Sequence, residues 1–236
     1  MLVSLRNYSN YSICESNVKI DDLVNFASKN NLSAVGLTDY KLLSGSLEFS
    51  IKCQKAGIQP IIGLDVDYKS NLDHLKRVTF LSKSEEGFKN LNTLSTEINT
   101  NNNFLLNADN IKDYAKGNIL ILGGLYSYFE DISINQKNLD KVLNEIKNLK
   151  EIFKNDLFFA YDLILNNDLL KEVSKKLEIP LFNSLFSFYK SVNDFDAMQI
   201  LHCVKNGEYL QNSTFKINNN YSLDKSLNNS DNSLVL

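Results

Sequence analysis

The chain has few of the residues that most often build metal, redox and disulfide sites. Its 236 residues include two histidines, no tryptophan and three cysteines, Cys14, Cys53 and Cys203. An odd number of cysteines at unrelated spacings predicts free thiols in a reducing cytoplasm and argues against a disulfide framework or a zinc ribbon. A site that needs many nitrogen or sulfur ligands is hard to assemble from this set.

Long apolar runs and an excess of positive charge are also missing. No run of about eighteen apolar residues occurs, so we expect no transmembrane helix and no membrane contact. The expected free thiols predict a cytoplasmic location. The start, Met1 to Arg6, lacks the residue order of a secretory signal. With 25 Lys and Arg against 28 Asp and Glu, the net charge is −3. An independent DNA clamp is usually basic, so we expect DNA contact to be indirect.

What the sequence does contain is an alternation of short apolar runs and helical patterns, with 43% hydrophobic residues available for a core. The predicted strands are Val3–Leu5, Ala34–Thr38, Pro60–Val66, Val78–Ser82, Asn118–Gly123, Phe158–Leu163 and Leu181–Ser184. The predicted helices are Ile20–Lys29, Ser44–Lys55, Glu85–Glu97, Leu139–Phe153, Leu169–Leu177 and Phe195–Lys205, with caps at Ser84 and Asp168. This order predicts one α/β barrel over residues 1–210, with mostly parallel strands, and a polar tail over residues 211–236.

Reactive groups of such a barrel lie on the loops that follow the strands. Asp65 and Asp67 are the strongest candidates for a magnesium or acid–base site, because carboxylate oxygens suit hard cations. One pair on one strand end is also typical of a solvated surface. Asp39 could be a ligand or a base, or it could cap the following turn or pair with Lys41.

The remaining candidates give no recognisable catalytic set. His74 lies in a charged loop, and His202 lies beside Cys203 on a predicted helix, where neighbouring residues point in different directions. No Ser-His-Asp or Cys-His arrangement can be built without forcing one of these histidines. The Gly123-Gly124 pair lacks the Lys and Ser/Thr pattern of a phosphate-binding loop.

Two longer segments carry a specific resemblance. Residues 2–16, LVSLRNYSNYSICES, and residues 34–66, AVGLTDYKLLSGSLEFSIKCQKAGIQPIIGLDV, resemble the amino-terminal PHP domain of the bacterial DNA polymerase III alpha subunit. Residues 81–91, 117–125 and 179–210 continue the likeness in the same order and spacing. The resemblance runs from residue 2 to about residue 227, and it implies a PHP-type barrel of α/β class with seven βα-like units.

Active members of that family hold a trinuclear metal site for phosphoester hydrolysis on His, Asp, Glu and Cys side chains. The positions that the resemblance assigns to those ligands are, in this chain, Arg6, Tyr8, Glu15, Tyr40, Asp65, Arg77, Gly124, Phe186 and Phe188. Of these, only Glu15 and Asp65 could still bind a metal. The resemblance therefore implies a degenerate site with no bound metal, no cofactor and no catalytic residue, because a cluster of divalent ions needs several anionic or imidazole ligands.

The resemblance also implies a role in DNA replication. The segment Gly45–Ser50 is similar to the proteobacterial branch, in which the PHP domain braces the polymerase and helps to dock the proofreading exonuclease (epsilon) subunit. The expected partners are thus that subunit and the remainder of the alpha subunit. The resemblance implies that the chain is part of a DNA-directed DNA polymerase, a nucleotidyltransferase. The polymerase active site is not among the residues that resemble the family, so we expect that this chain by itself does not extend a primer.

Two alternatives stay open at this point. The first is a divergent phosphoesterase that uses Glu15, Asp39, Asp65 and Asp67 with magnesium. The second is a decayed remnant of the polymerase subunit, since the Asn- and Ser-rich tail fits either a domain boundary or decay.

Overall fold

The computed structural model describes residues 3–71, 75–126, 136–162, 165, 168–215, 217–218 and 220–226. The strands are β1 (Arg6–Asn7), β2 (Ala34–Leu37), β3 (Gln59–Lys69), β4 (Leu75–Ser82), β5 (Leu106–Asn107), β6 (Asn118–Leu122), β7 (Leu157–Tyr161), β8 (Leu181–Asn183) and β9 (Phe186–Ser187). The helices are α1 (Ile20–Lys29), α2 (Ser46–Lys55), α3 (Glu85–Thr100), α4 (Gln136–Phe153), α5 (Asp168–Leu177) and α6 (Phe195–Asn206). None of the described helices is long and apolar enough to cross a membrane.

The chain divides into two compact units. The first unit contains Met1–Ile61 and Ser184–Leu236, and the second contains Ile62–Asn183. The predicted boundary at residue 210 stays a prediction. Beyond it, Tyr221 and Leu223 are buried in the first unit, where Ser222 forms a parallel bridge with Tyr189.

In the first unit, β1 pairs in parallel with β9, and Ser4 forms a parallel bridge with Val35 of β2. The buried side chain of Asn7 joins these strands: its amide donates to the Gly36 carbonyl over 2.9 Å, and its oxygen accepts from Ser187 Oγ over 2.6 Å. Gly36 must be glycine, because a Cβ there would lie 2.1 Å from the Leu5 carbonyl oxygen. The close approach of β2 to the start of the chain therefore depends on a missing side chain.

In the second unit, the strands lie in the order β3, β4, β6, β7, β8, and β5 pairs in parallel with β3. The pairs β6–β7 and β7–β8 are parallel, whereas β4 is antiparallel to both of its neighbours. The strands were predicted to be mostly parallel, and β4 is an exception to that pattern. Only residues 70–74 separate β3 from β4, a connection that suits a hairpin and is too short for the crossover that parallel strands need.

The elements otherwise follow the sequence pattern closely. Helix α1 has the predicted bounds, and α3 begins after Ser84, whose Oγ accepts a hydrogen bond from the Gly87 amide over 3.1 Å. The first strand was predicted at Val3–Leu5 but forms at Arg6–Asn7, and the two-residue strands β5 and β9 were not predicted. All three cysteines are free, as predicted.

Candidate functional site

The pairing of β1 with β9 brings four of the assigned ligand positions together in the first unit. Arg6 is the register partner of Phe186, and the Tyr8 amide donates to the Ser187 carbonyl over 3.1 Å. Side chains two apart on a strand share a face, so Tyr8 and Phe188 continue the row that Arg6 and Phe186 begin. Residues separated by about 180 positions in the sequence thus form one cluster.

The cluster is built of buried aromatic rings. The ring centroid of Tyr8 lies 5.6 Å from that of Phe186 and 5.0 Å from that of Phe188, both in edge-to-face geometry. Phe186 and Phe188 stack at 5.5 Å, and Tyr221 contacts Phe188 at 6.0 Å. All four side chains are buried. We call Arg6, Tyr8, Phe186, Phe188 and Tyr221 the ring cluster.

Arg6 adds a buried positive charge to this cluster. Its guanidinium carbon lies 3.6 Å from the centroid of the Phe186 ring, a cation–π contact, and the residue is only 2% exposed. The ring cluster therefore offers a cation, a phenol and phenyl faces at positions where the resemblance places metal ligands. None of its side chains carries a carboxylate or an imidazole.

The two candidate carboxylates of the first unit, Glu15 and Asp39, have separate partners. Glu15 is largely buried and forms an ion pair with Lys205 of α6. The Lys205 ammonium also lies 5.7 Å from the centroid of the Tyr40 ring. Glu15 and Tyr40, two further assigned positions, thus both contact Lys205, which no motif in the sequence indicated.

Asp39 is buried and accepts three hydrogen bonds from the loop that follows β1. The donors are the Ser9 amide at 2.6 Å, the Ser9 hydroxyl at 2.7 Å and the Ser12 hydroxyl at 2.6 Å. Ser12 in turn accepts from the Tyr40 amide over 2.9 Å. Burial raises the pKa of Asp39, and the hydrogen bonds from Ser12 and Ser9 oppose that rise. The Asp39 carboxylate therefore holds this loop in place. In the sequence, the serines of the Tyr8–Ser12 segment were the only indication of hydrogen-bond donors for a nearby carboxylate.

The two candidate carboxylates of the second unit, Asp65 and Asp67, are two residues apart on β3 and so share one of its faces. Asp65 is fully buried and accepts from Thr79 Oγ1 over 2.6 Å. Asp67 lies opposite Arg77 in the antiparallel register, with 3.9 Å between Arg77 Nε and Asp67 Oδ1. The Arg77 guanidinium carbon also lies 4.6 Å from the centroid of the Tyr126 ring, a cation–π contact. The pair was predicted at a strand end, but β3 continues to Lys69, and the Arg77 cation lies beside Asp67.

The remaining candidates are Gly124, His202 and His74. Gly124 has a positive φ of 81° and follows Gly123, which has a φ of 116°. The ring centroid of His202 lies 5.1 Å from that of Phe215 in tilted geometry, and His202 Nε2 lies 2.8 Å from the Asn206 amide nitrogen. His74 lies outside the described residues. Across the part of the chain that the structure describes, no three His, Cys, Asp or Glu side chains form a group that could hold a metal ion.

The proteins that are similar to this chain in sequence are much longer than the chain itself. DNA polymerase III subunit alpha of Borreliella burgdorferi is 29% identical over 228 residues, which cover 87% of this chain and 19% of the relative. The same subunit of Rickettsia conorii is 29% identical over 235 residues, which cover 92% of this chain and again 19% of the relative. The chain thus spans less than a quarter of the length of these curated relatives.

Comparison with solved structures supports the fold. An amidohydrolase from Chromobacterium violaceum, solved with bound sulfate and no metal, has a TM-score of 0.53 at 8% identity and covers 79% of this chain and 87% of its own. A protein described as a metal-dependent phosphoesterase from Bifidobacterium adolescentis has a TM-score of 0.50 at 8% identity, with 77% and 86% covered. The predicted fold class, α/β with mostly parallel strands, is confirmed. The family model of the PHP domain matches residues 4–160, and the chain belongs to the PHP domain family.

Proposed function

We propose that this chain is a non-catalytic PHP module of a replicative DNA polymerase III alpha subunit, where it braces the polymerase and provides a docking surface for the proofreading exonuclease subunit. The observation that carries the proposal is the ring cluster. Tyr8, Phe186 and Phe188 stand at positions that the resemblance assigns to metal ligands, and their rings contact one another.

The chemistry of the ring cluster favours packing over ion binding. Divalent ions in proteins need several anionic or imidazole ligands to offset the loss of their water. Phe186 and Phe188 supply none, and the Arg6 guanidinium repels a cation at short range. The contacts among these rings stabilise the first unit instead, because edge-to-face and stacked pairs are worth about 0.5–1.5 kcal/mol each beyond area burial.

The alternative of a divergent phosphoesterase has less support from the geometry. Of its four candidate ligands, Glu15 pairs with Lys205, Asp39 accepts three hydrogen bonds and Asp67 faces Arg77. A metal would have to displace these partners, and leaving the buried donors Ser9 and Ser12 unsatisfied would cost about 1–3 kcal/mol each. The engaged carboxylates therefore favour the scaffold role.

Capture of purified subunits tests the proposal. The tagged full chain is mixed with the remainder of the alpha subunit and with the exonuclease subunit, separately and together, all from the same organism. We expect specific capture of both, against an unrelated tagged protein of similar charge as control. Capture of the polymerase portion alone would remove the docking role, and capture of neither would support the remnant hypothesis.

A hydrolysis assay on the same preparation tests the catalytic alternative. We expect no release of p-nitrophenol from a phosphate ester above the rate of the metal-containing buffer, with magnesium, manganese or zinc. Metal-stimulated hydrolysis that is lost in D65N would establish the phosphoesterase and reject the non-catalytic module.

A further inference from the structure

The second unit contains a basic cleft at the edge where β6 and β7 begin. The turn before β6 forms one wall, the end of α4 and the short 3-10 helix Lys154–Asp156 form another, and Lys83 after β4 lies between them. The cleft has a volume of about 660 Å³. The assigned ligand position Gly124 follows the opposite end of β6, so the cleft is separate from the family's metal-binding edge.

The backbone around this cleft is held in place before any ligand arrives. The Lys83 amide donates to the Gly117 carbonyl over 3.0 Å, which ties the end of β4 to the turn before β6. Gly117 has a positive φ of 74°, and a Cβ at this position would lie 2.2 Å from Ser84 Oγ. The buried Asn118 side chain donates to the carbonyls of Gly87 and Tyr114. Only glycine fits this turn, so its geometry is fixed by the fold.

Charge is the second feature of the cleft. Four lysines line it against a single aspartate, although the whole chain carries a net charge of −3. Lys83 pairs with Asp156 over 2.5 Å, and Lys116 pairs with Glu86 over 2.8 Å. Within the described part of the chain, Lys112 and Lys154 form no ion pair. Two ammonium groups therefore remain available to an anion, and a concave surface of one sign concentrates the field that attracts it.

The ends of neighbouring helices account for only part of this charge. Lys154 follows the carboxyl end of α4, where a cation is favourable. Lys83, however, precedes the amino end of α3, where the helix dipole disfavours a cation. Lys112 lies within the short 3-10 helix Ile111–Tyr114, and Lys116 lies in the turn that follows it. The dipole of α4 therefore does not explain why lysines from several separate elements line the same cleft.

We propose that this cleft binds a nucleotide through its phosphates. Lysine ammonium groups bind phosphate as point charges, and Lys112 and Lys154 would provide them. The volume lies within the range of about 300–1,000 Å³ that is typical of small-molecule sites and exceeds what a single phosphate fills. Ala115 and Ile152, which also line the cleft, give an apolar surface for the base. This inference is independent of the proposed scaffold role.

Calorimetric titration of the full chain tests the proposal, with dATP, deoxyadenosine and inorganic phosphate as separate probes. We expect dATP to bind more tightly than either fragment, with an affinity that falls as salt is added. The double variant K112E/K154E should weaken dATP binding by about tenfold or more. The matched control K175E/K176E reverses two exposed lysines of α5 in the same unit and should leave the affinity unchanged.

Three outcomes would overturn the proposal. The first is no binding of dATP at millimolar concentration, and the second is an equal loss of affinity in both double variants. The third is binding of inorganic phosphate as tight as that of dATP, which would leave the base without a role. Thermal unfolding of each variant, followed by circular dichroism, shows that a loss of binding is not a loss of folding.

Discussion

Asp39 combines burial with three hydrogen bonds, and these act on its pKa in opposite directions. Burial is the larger effect and raises the pKa, so the folded chain keeps this proton to a higher pH than the unfolded chain does. Asp39 therefore lowers the free energy of unfolding as the pH rises from about 4, the usual pKa of an unfolded aspartate, through the folded pKa. Urea unfolding at steps between about pH 4 and pH 7 should show this fall in wild type relative to D39N.

The direction in which the stability of wild type changes relative to D39N shows whether burial or hydrogen bonding dominates the pKa of Asp39. If the hydrogen bonds from Ser9 and Ser12 outweighed burial, the folded pKa would be depressed and wild type would gain stability relative to D39N with rising pH. S12A is the companion variant. Because it removes one donor to the carboxylate, we expect it to steepen the fall in stability over the same range.

Phe188 lies at the centre of the ring cluster. It is fully buried and contacts Tyr8, Phe186 and Tyr221. We expect F188A to lower the free energy of unfolding by about 3–5 kcal/mol, because the cavity left by a buried phenylalanine cannot close fully. Denaturant unfolding measures the loss, and F158A, at a half-buried ring of the second unit, should cost less. An F188A cost no greater than that of F158A would mean that the cluster does not serve as core.

At the scale of elements, the sequence predicts what is local and misses what depends on partners. The bounds of α1 follow from apolar spacing along one face, and the start of α3 follows from the Ser84 cap. The antiparallel direction of β4 is a property of its pairing. Strands β5 and β9 are two residues long, too short for an alternating pattern, and exist because β3 and β1 lie beside them.

Gly123 shows how one residue sets the approach of two elements. It has a φ of 116°, and a Cβ there would lie 2.0 Å from the carbonyl oxygen of Ala160 in β7. We expect G123A to cost more than about 3 kcal/mol in the free energy of unfolding, because the clash is with backbone that cannot rotate away. G57A is the control: Gly57 has a φ of 69° and open space around it, so only the left-handed strain of about 1–2 kcal/mol applies. Equal losses in thermal unfolding would show that β6 and β7 shift apart readily.

At the scale of the whole molecule, the sequence predicted which residues form the candidate site but did not predict the ion pairs and hydrogen bonds that they make. The resemblance assigned Arg6, Tyr8, Phe186 and Phe188 to one site, and the structure brings them into contact. The partners of the carboxylates were not predictable. Glu15 and Lys205 lie 190 positions apart in the sequence, and nothing in either segment indicates the other. Long-range ion pairs of this kind depend on how the elements pack, which periodicity does not report.

Thermal unfolding of the full chain gives the last test of the degenerate site. A site that bound manganese with a dissociation constant of about 1 μM would add about 4 kcal/mol of stability at 1 mM metal. For a chain of this length, that gain would raise Tm by about 8–16 °C. We expect a shift below about 1 °C between EDTA and 1 mM manganese, because the ring cluster supplies no anionic ligand. A larger shift that disappears in D65N, but persists in the surface control D109N, would place a metal in the second unit and restore the phosphoesterase hypothesis.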